Sequence, residues 1–205
     1  MPRPREFDEH RVLDAAADCF WSHGYEGTST RQLTQAMALP PASLYNAFGD
    51  KRALFRRALD HYLEQTLHDR VRRLEAMADP ALAVTRFFVE IIDRSVADPG
   101  ARGCFLVNSA LEAGPRDPAM RAVVDDEIRV IETFFHGRLA RAGAAGSIPL
   151  EPAPAQAAAM LTAVLLGIRV LARLGPGRDR LSAAVAPVLT LLGLPPLPAA
   201  EETRP

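Results

Sequence analysis

Residues 28–51 read TSTRQLTQAMALPPASLYNAFGDK, and the fold of the chain is decided there. Thr28, Ser29 or Thr30 can each cap a helix by lending a side-chain oxygen to its unpaired N–H groups. Leu33, Ala36 and Met37 then recur at i, i+3 and i+4, so a short helix over about 30–37 has one apolar side. A second helix opens at Pro40-Pro41, where the fixed φ suits the first turn and the missing N–H would have been unpaired anyway. Its inward face is Leu44, Tyr45 and Phe48. Gly49-Asp50 stops it and caps the next helix, which begins at Lys51. Two short helices across a tight turn, followed at once by a third, are the layout of a helix-turn-helix.

The outward side of the second helix carries Pro41, Ala42, Ser43, Asn46 and Ala47, small or amide-bearing residues that let a helix approach base edges in a major groove. Asn46 suits adenine, which offers an acceptor and a donor side by side, but an exposed helix residue would satisfy the same spacing. Tyr45 and Lys51 place a phenol hydroxyl and an ammonium at helix ends, natural phosphate donors that fix register without reading sequence. Thr30 and Arg31, at the start of the first helix, complete the candidate set. The formal net charge of −1 gives no attraction of the whole molecule to nucleic acid, so affinity must come from a local patch. Arg3, Arg5, Arg31, Lys51 and Arg52 are its candidates. Arg3 and Arg5 stand in a Pro-broken arm, read either as a solvated tail or as a minor-groove arm.

The run Ala42-Ser43-Leu44-Tyr45-Asn46-Ala47-Phe48-Gly49-Asp50-Lys51-Arg52-Ala53-Leu54-Phe55 resembles the recognition-helix signature of the TetR/AcrR family of one-component transcriptional repressors. The resemblance implies phosphate contacts for Tyr45 and Lys51. The family turn usually holds Gly, and Ser or Asn caps its reading helix; here Ala38 and Pro40 stand in those places. Ala38 must carry strain if the turn needs φ > 0, and Pro40 offers no side-chain oxygen.

With 205 residues and 48% hydrophobic content, the chain can bury a real core. Cys19 and Cys104 form no disulfide framework and show no metal-ligand spacing, so a reducing cytoplasm is expected. No signal peptide and no uninterrupted apolar run of bilayer length is expected. An enzyme is not expected either: there is no Gly-rich phosphate loop, no HExxH and no nucleophile elbow, and the five histidines are scattered. His61 and His68, seven apart, make too small a set for a metal. No cofactor and no metal is implied.

The whole chain reads as all-α, about nine helices, with no strand alternation and no repeat. A first helix over about 8–23 buries Leu13, Ala16, Ala17 and Phe20 and ends at Gly24. The helix from Asp50 runs to about Met77. Asp79-Pro80 opens the next, which closes at Asp98-Pro99-Gly100, and a short helix over 101–113 ends at Gly114-Pro115. Asp117-Pro118 starts a helix to about 142. The one over 153–174 is apolar nearly all round, broken by Thr162, Ala163 and Gly167, and so must be buried on several sides. The last has Asp179 as cap and Pro187 as a kink. The expected division is 1–54 for DNA reading, 55–194 for effector binding and dimerisation, and 195–205 as a disordered tail.

Arg102-Gly103-Cys104-Phe105-Leu106-Val107-Asn108 resembles a run found in a subset of the same family. The resemblance implies a dimer that releases operator DNA, a palindromic duplex, when a small molecule enters its C-terminal half. The candidate lining is Phe88, Ile92, Cys104, Asn108, Phe134 and Val164. Cys104 reads either as a small buried hydrophobe or as a thiol whose pKa Arg102 lowers, in which case an electrophile is the effector. Cys104, Asn108 and Glu112 are expected on one helix face. The homodimer is expected through the helices at 153–174 and 179–192, whose small residues allow close approach. The alternative is a dimeric helical scaffold that reads no specific DNA.

Overall fold

A computed structural model describes residues 7–112, 117–149 and 151–198, and among these there is no strand. Arg3, Arg5, the stop at Gly114-Pro115 and positions 199–205 of the expected tail lie outside the described residues. In chain order the elements are α1 (Glu9–Gly27), α2 (Thr30–Met37), α3 (Pro41–Phe48), α4 (Lys51–Leu63), a π-helical turn (Glu64–His68), α5 (Asp69–Glu75), α6 (Pro80–Ala97), α7 (Phe105–Glu112), α8 (Pro118–Ala144), α9 (Pro154–Leu171), a 3-10 turn (Ala172–Leu174) and α10 (Arg178–Leu191). They form two compact units, residues 1–69 with 104–121 and residues 70–103 with 122–205.

Local chemistry accounts for most of the boundaries in the first unit. The Asp8 carboxylate accepts the His10 and Arg11 N–H groups and caps α1. Helical geometry breaks at Gly24 (φ 75°, ψ 169°), as Gly alone tolerates, and resumes only briefly before Thr28. The core is an aromatic stack. The Phe20 and Phe55 rings meet edge to face at 5.0 Å, Phe105 of α7 lies 5.5 Å from Phe55 and 5.6 Å from Tyr62, and Trp21 lies 5.2 Å from Tyr62. So α7, far along the chain, completes the core that α1 and α4 begin.

The helix expected over 101–113 starts only at Phe105, because Ala101 (φ 45°) and Gly103 (φ 74°) are both left-handed. Asp98 holds this bend, accepting the Arg102 backbone N–H at 2.7 Å and its Nε at 3.1 Å. A side chain at 103 would have no room: a Cβ there would lie 2.6 Å from Arg173 Cγ and 3.1 Å from the Arg169 carbonyl oxygen. The single helix expected over 50–77 is helical from Lys51 to Glu75, with one π turn at Glu64–His68 inside it. Within it Thr66 turns its hydroxyl back to the Tyr62 carbonyl at 2.7 Å.

In the second unit Asp79 caps α6 by accepting from Ala81 and Leu82. Phe87 and Phe88 of α6 pack with Phe134 and Phe135 of α8, centroids 5.1 to 6.3 Å apart. Gly177, not Asp179, is the N-cap of α10, and Asp179 stands in its first turn. α9 is long and apolar: residues 154–174 have the length and, at a mean hydropathy of 1.8, the composition of a bilayer span, although Arg169 and Arg173 interrupt the apolar run. Expected to be buried on several sides, it leaves one stripe exposed. Ala157, Ala158, Leu161, Leu165 and Ile168 are buried, whereas Ala159, Ala163, Gly167 and Val170 form an exposed stripe of mostly small side chains. Periodicity cannot separate the two faces, because alanine and glycine are apolar on both.

Candidate nucleic-acid interface

α2 and α3 are set by a sequence of short-range bonds. Ser29 Oγ accepts the Gln32 N–H at 3.2 Å while Gln32 Oε1 accepts the Ser29 N–H at 2.8 Å, a reciprocal cap at the start of α2. At its end Ala38 takes the left-handed conformation (φ 53°, ψ 39°), and Leu39 N–H returns to the Thr34 carbonyl at 3.0 Å. The turn therefore needs φ > 0 and obtains it from alanine. Pro40 makes no side-chain cap to α3, as its chemistry requires, and Pro41 occupies the first turn. Leu33, Met37, Leu44 and Phe48 are buried beneath the pair. Arg57 of α4 lays its guanidinium 4.8 Å from the Phe48 ring and pairs with Glu9, closing the end of α3.

Pro41, Tyr45 and Asn46 lie on the exposed surface of α3, with Ser43 half-buried beside them. Tyr45 does not belong to the inward face where spacing placed it: it is 47% exposed, and its hydroxyl sits 3.5 Å from Thr30 Oγ1 at the start of α2. Ala36 is also exposed, unlike Leu33 and Met37. At the boundary of a short helix's apolar arc, one position of rotation decides between core and solvent. Arg31 is exposed on α2, whereas Arg52 is engaged, donating to Asp117 at 2.7 Å. Asp117 is held below the usual carboxylate range by the Met120 N–H and, against some desolvation, by Arg52 and the Ala119 N–H.

The residue that sequence reasoning missed is Tyr25. Its ring lies 4.5 Å beneath the Lys51 ammonium and 5.0 Å from the Phe55 ring, and its backbone N–H donates to Glu112 Oε2 at 3.0 Å. Burial, then the charges of Glu26 and Asp50, push the Tyr25 phenol above its ordinary pKa. Position after Gly24, outside the period of the first helix, was its only local signal. Glu112 is thereby committed to the head of the molecule and does not share a ligand face with Cys104. Cys104 precedes α7, and its carbonyl accepts the Asn108 N–H at 2.9 Å.

Among the expected effector residues, Phe88 and Phe134 join the aromatic cluster of the second unit. Ile92 is buried one turn beyond Phe88, and Val164 is half-buried on α9. Cys104, half-buried, and Asn108, buried, belong to the first unit. Cys19 is buried, and burial raises its thiol pKa against a hydrogen bond from Thr28. Among the described residues no group of three His, Cys, Asp or Glu side chains is placed to hold a metal ion. His61 Nε2 instead meets Asp14 Oδ1 at 2.7 Å.

Residues 12–58 match the family model of bacterial regulatory proteins, tetR family, and residues 70–188 match that of the tetracyclin repressor-like C-terminal domain. The chain is 33% identical over 194 residues to the HTH-type transcriptional regulator YezE of Bacillus subtilis, covering 94% of this chain and 100% of that protein. It is 28% identical to the HTH-type transcriptional repressor ComR of Escherichia coli, covering 92% of this chain and 90% of that one. A solved structure of the TetR family regulator CifR, a cysteine mutant complexed with a 26-bp operator duplex, superposes with a TM-score of 0.82 at 37% identity, covering 92% of this chain and 98% of that one. The helix-turn-helix of α2 and α3, the helical second unit and these full-length likenesses agree: the chain belongs to the tetR family of bacterial regulatory proteins and is a helix-turn-helix transcriptional regulator.

Proposed function

We propose that this regulator is a cytoplasmic repressor without catalytic activity of its own, which binds a palindromic operator as a homodimer and leaves it when a small molecule binds. The observation that carries the reading is the outer surface of α3, where Pro41, Tyr45 and Asn46 are exposed together, with Thr30 and Lys51 flanking them. In this reading Thr30, Arg31, Tyr45 and Lys51 hold phosphates, while Pro41, Ser43 and Asn46 face base edges. The division of labour assigns 1–54 to DNA and 55–194 to effector and partner.

Two-fold symmetry suits the exposed stripe on α9, with Leu191 of α10 exposed as well, since a four-helix contact between copies would cover apolar surface that otherwise faces water. For the effector, the proposed seat in the second unit is the aromatic cluster around Phe88, Ile92 and Phe134, with Val164 on α9. A second reading makes Cys104 the sensor. It is favoured by accessibility, since Cys104 is half-buried where Cys19 is buried. Gel shifts with duplexes from the regulator's own flanking DNA test the first claim. Retention of a specific duplex over a scrambled one supports it, and equal binding to both favours a scaffold without sequence reading. Cys104→Ser that still releases DNA on effector addition removes the thiol version alone.

A further inference from the structure

Three contacts in the first unit form a chain that the assignment of Lys51 leaves unexplained. The Lys51 ammonium lies 4.5 Å over the Tyr25 ring. Tyr25 is anchored on one side by Phe55 and Phe20, at 5.0 and 6.3 Å, and on the other by its backbone N–H, which donates to Glu112. The backbone at this point is a break, not a helix: Gly24 has φ +75°, and a Cβ there would lie 2.5 Å from Glu112 Oε2. The carboxylate therefore occupies the space a side chain at 24 would take. It clamps the bend from one side, while the Thr28 hydroxyl donates to the Gly24 carbonyl at 2.6 Å on the other.

We infer that Glu112 is a positioning residue for DNA binding, which through Tyr25 holds the Lys51 ammonium where it meets a phosphate. The physical argument is one of entropy. A lysine has four rotatable bonds and reaches many positions; a ring beneath its ammonium selects one of them, so less freedom is lost when the phosphate arrives. The ring does this only while its own backbone is fixed, and Glu112 fixes it. Glu112 ends α7, the eight-residue helix that follows Gly103 in the chain. Gly103 is itself wedged against the Arg169 carbonyl and Arg173. The positioning role of Glu112 rests on the reading of Lys51 as a phosphate contact.

The test measures affinity for the operator duplex by fluorescence anisotropy at four salt concentrations, using the full-length dimer. Glu112→Ala and Tyr25→Leu should each weaken binding about three- to tenfold and lower the salt slope by about one unit per reading head. Glu112→Gln, which keeps a carbonyl to accept the Tyr25 N–H, and Tyr25→Phe, which keeps the ring, should bind like the parent. Glu112→Ala added to Lys51→Ala should cost nothing further. A loss that adds in full to that of Lys51→Ala, or that leaves the salt slope unchanged, overturns the inference, since a general loosening of the unit would do either. Should Glu112→Ala fail to fold, Tyr25→Leu against Tyr25→Phe decides the same point. Lys51→Ala that binds like the parent sinks the reading of Lys51 and the inference with it; loss there, with parent-like Glu112→Ala and Tyr25→Leu, sinks the inference alone.

Discussion

Arg70 Nε donates to Glu90 Oε2 at 3.0 Å from a side chain only 8% exposed, and Arg73 closes on the same carboxylate at 3.0 Å from the solvent side. Burial on its own would raise the Glu90 carboxyl, but the hydrogen bonds from Arg73 and Arg70 hold it below its ordinary range. Burial likewise lowers the Arg70 guanidinium, against the pull of Glu90. A carboxyl depressed in the folded state adds stability above its unfolded pKa and loses it as pH falls through the folded value. Urea unfolding should therefore show a midpoint that declines below about pH 4.5. Glu90→Gln should flatten that decline. Glu90→Ala, which strands a buried guanidinium, should cost about 3–5 kcal/mol at neutral pH, and an unchanged midpoint would refute the pairing.

Ala38 pays for a left-handed turn that glycine adopts freely. Ala38→Gly should raise stability by about 0.5–1 kcal/mol, the strain relieved exceeding the extra freedom of the unfolded chain. Thermal melts of the purified dimer check this. A variant less stable than the parent means that the conformation at 38 is not strained.

On the reading surface, Lys51→Ala should weaken binding to operator and scrambled duplexes alike and lower the salt slope by about one unit per contact. Asn46→Ala should instead relax discrimination at one base pair by about 1–3 kcal/mol. Isotherms on both duplexes at two salt concentrations separate them, and identical losses everywhere would end the assignment.

Gly167 is exposed, and a Cβ there would meet nothing within 4 Å. Gly167→Arg should therefore leave the fold intact while driving light scattering toward the monomer and abolishing operator binding. Leu165 is buried in its own unit, so Leu165→Glu would unfold the protein and report nothing on association. A parent that scatters as a monomer at micromolar concentration would refute the dimer.

What the sequence made legible was local. α2 spans the expected 30–37, and Asp8, Ser29, Asp50 and Asp79 cap helices where their side chains reach the next turn. Those bonds join residues two or three apart, and a short window contains all of their physics. The clamp of Tyr25 by Glu112 joins residues 87 apart, so no periodicity could announce it. The left-handed Ala101 was hidden for another reason: alanine has the highest helix propensity, and the Asp98 bonds to Arg102 together with the close approach at Gly103 override it. Tyr45 was misplaced because an aromatic at the margin of an apolar arc is compatible with core and with solvent.

α7 supplies Phe105 to the stack of Phe55 and Tyr62, although residues 70–103, which belong to the other unit, lie between them in the chain. Synthesis on the ribosome runs from the N-terminus, so the reading head emerges with its last wall still unmade. Until α7 has left the exit tunnel, Phe55 and Tyr62 lack their covering ring. The DNA-reading half, first to be translated, is in this sense not the first to be finished, and a nascent chain from which only residues 1–69 have emerged exposes the aromatic surface that Phe105 later covers.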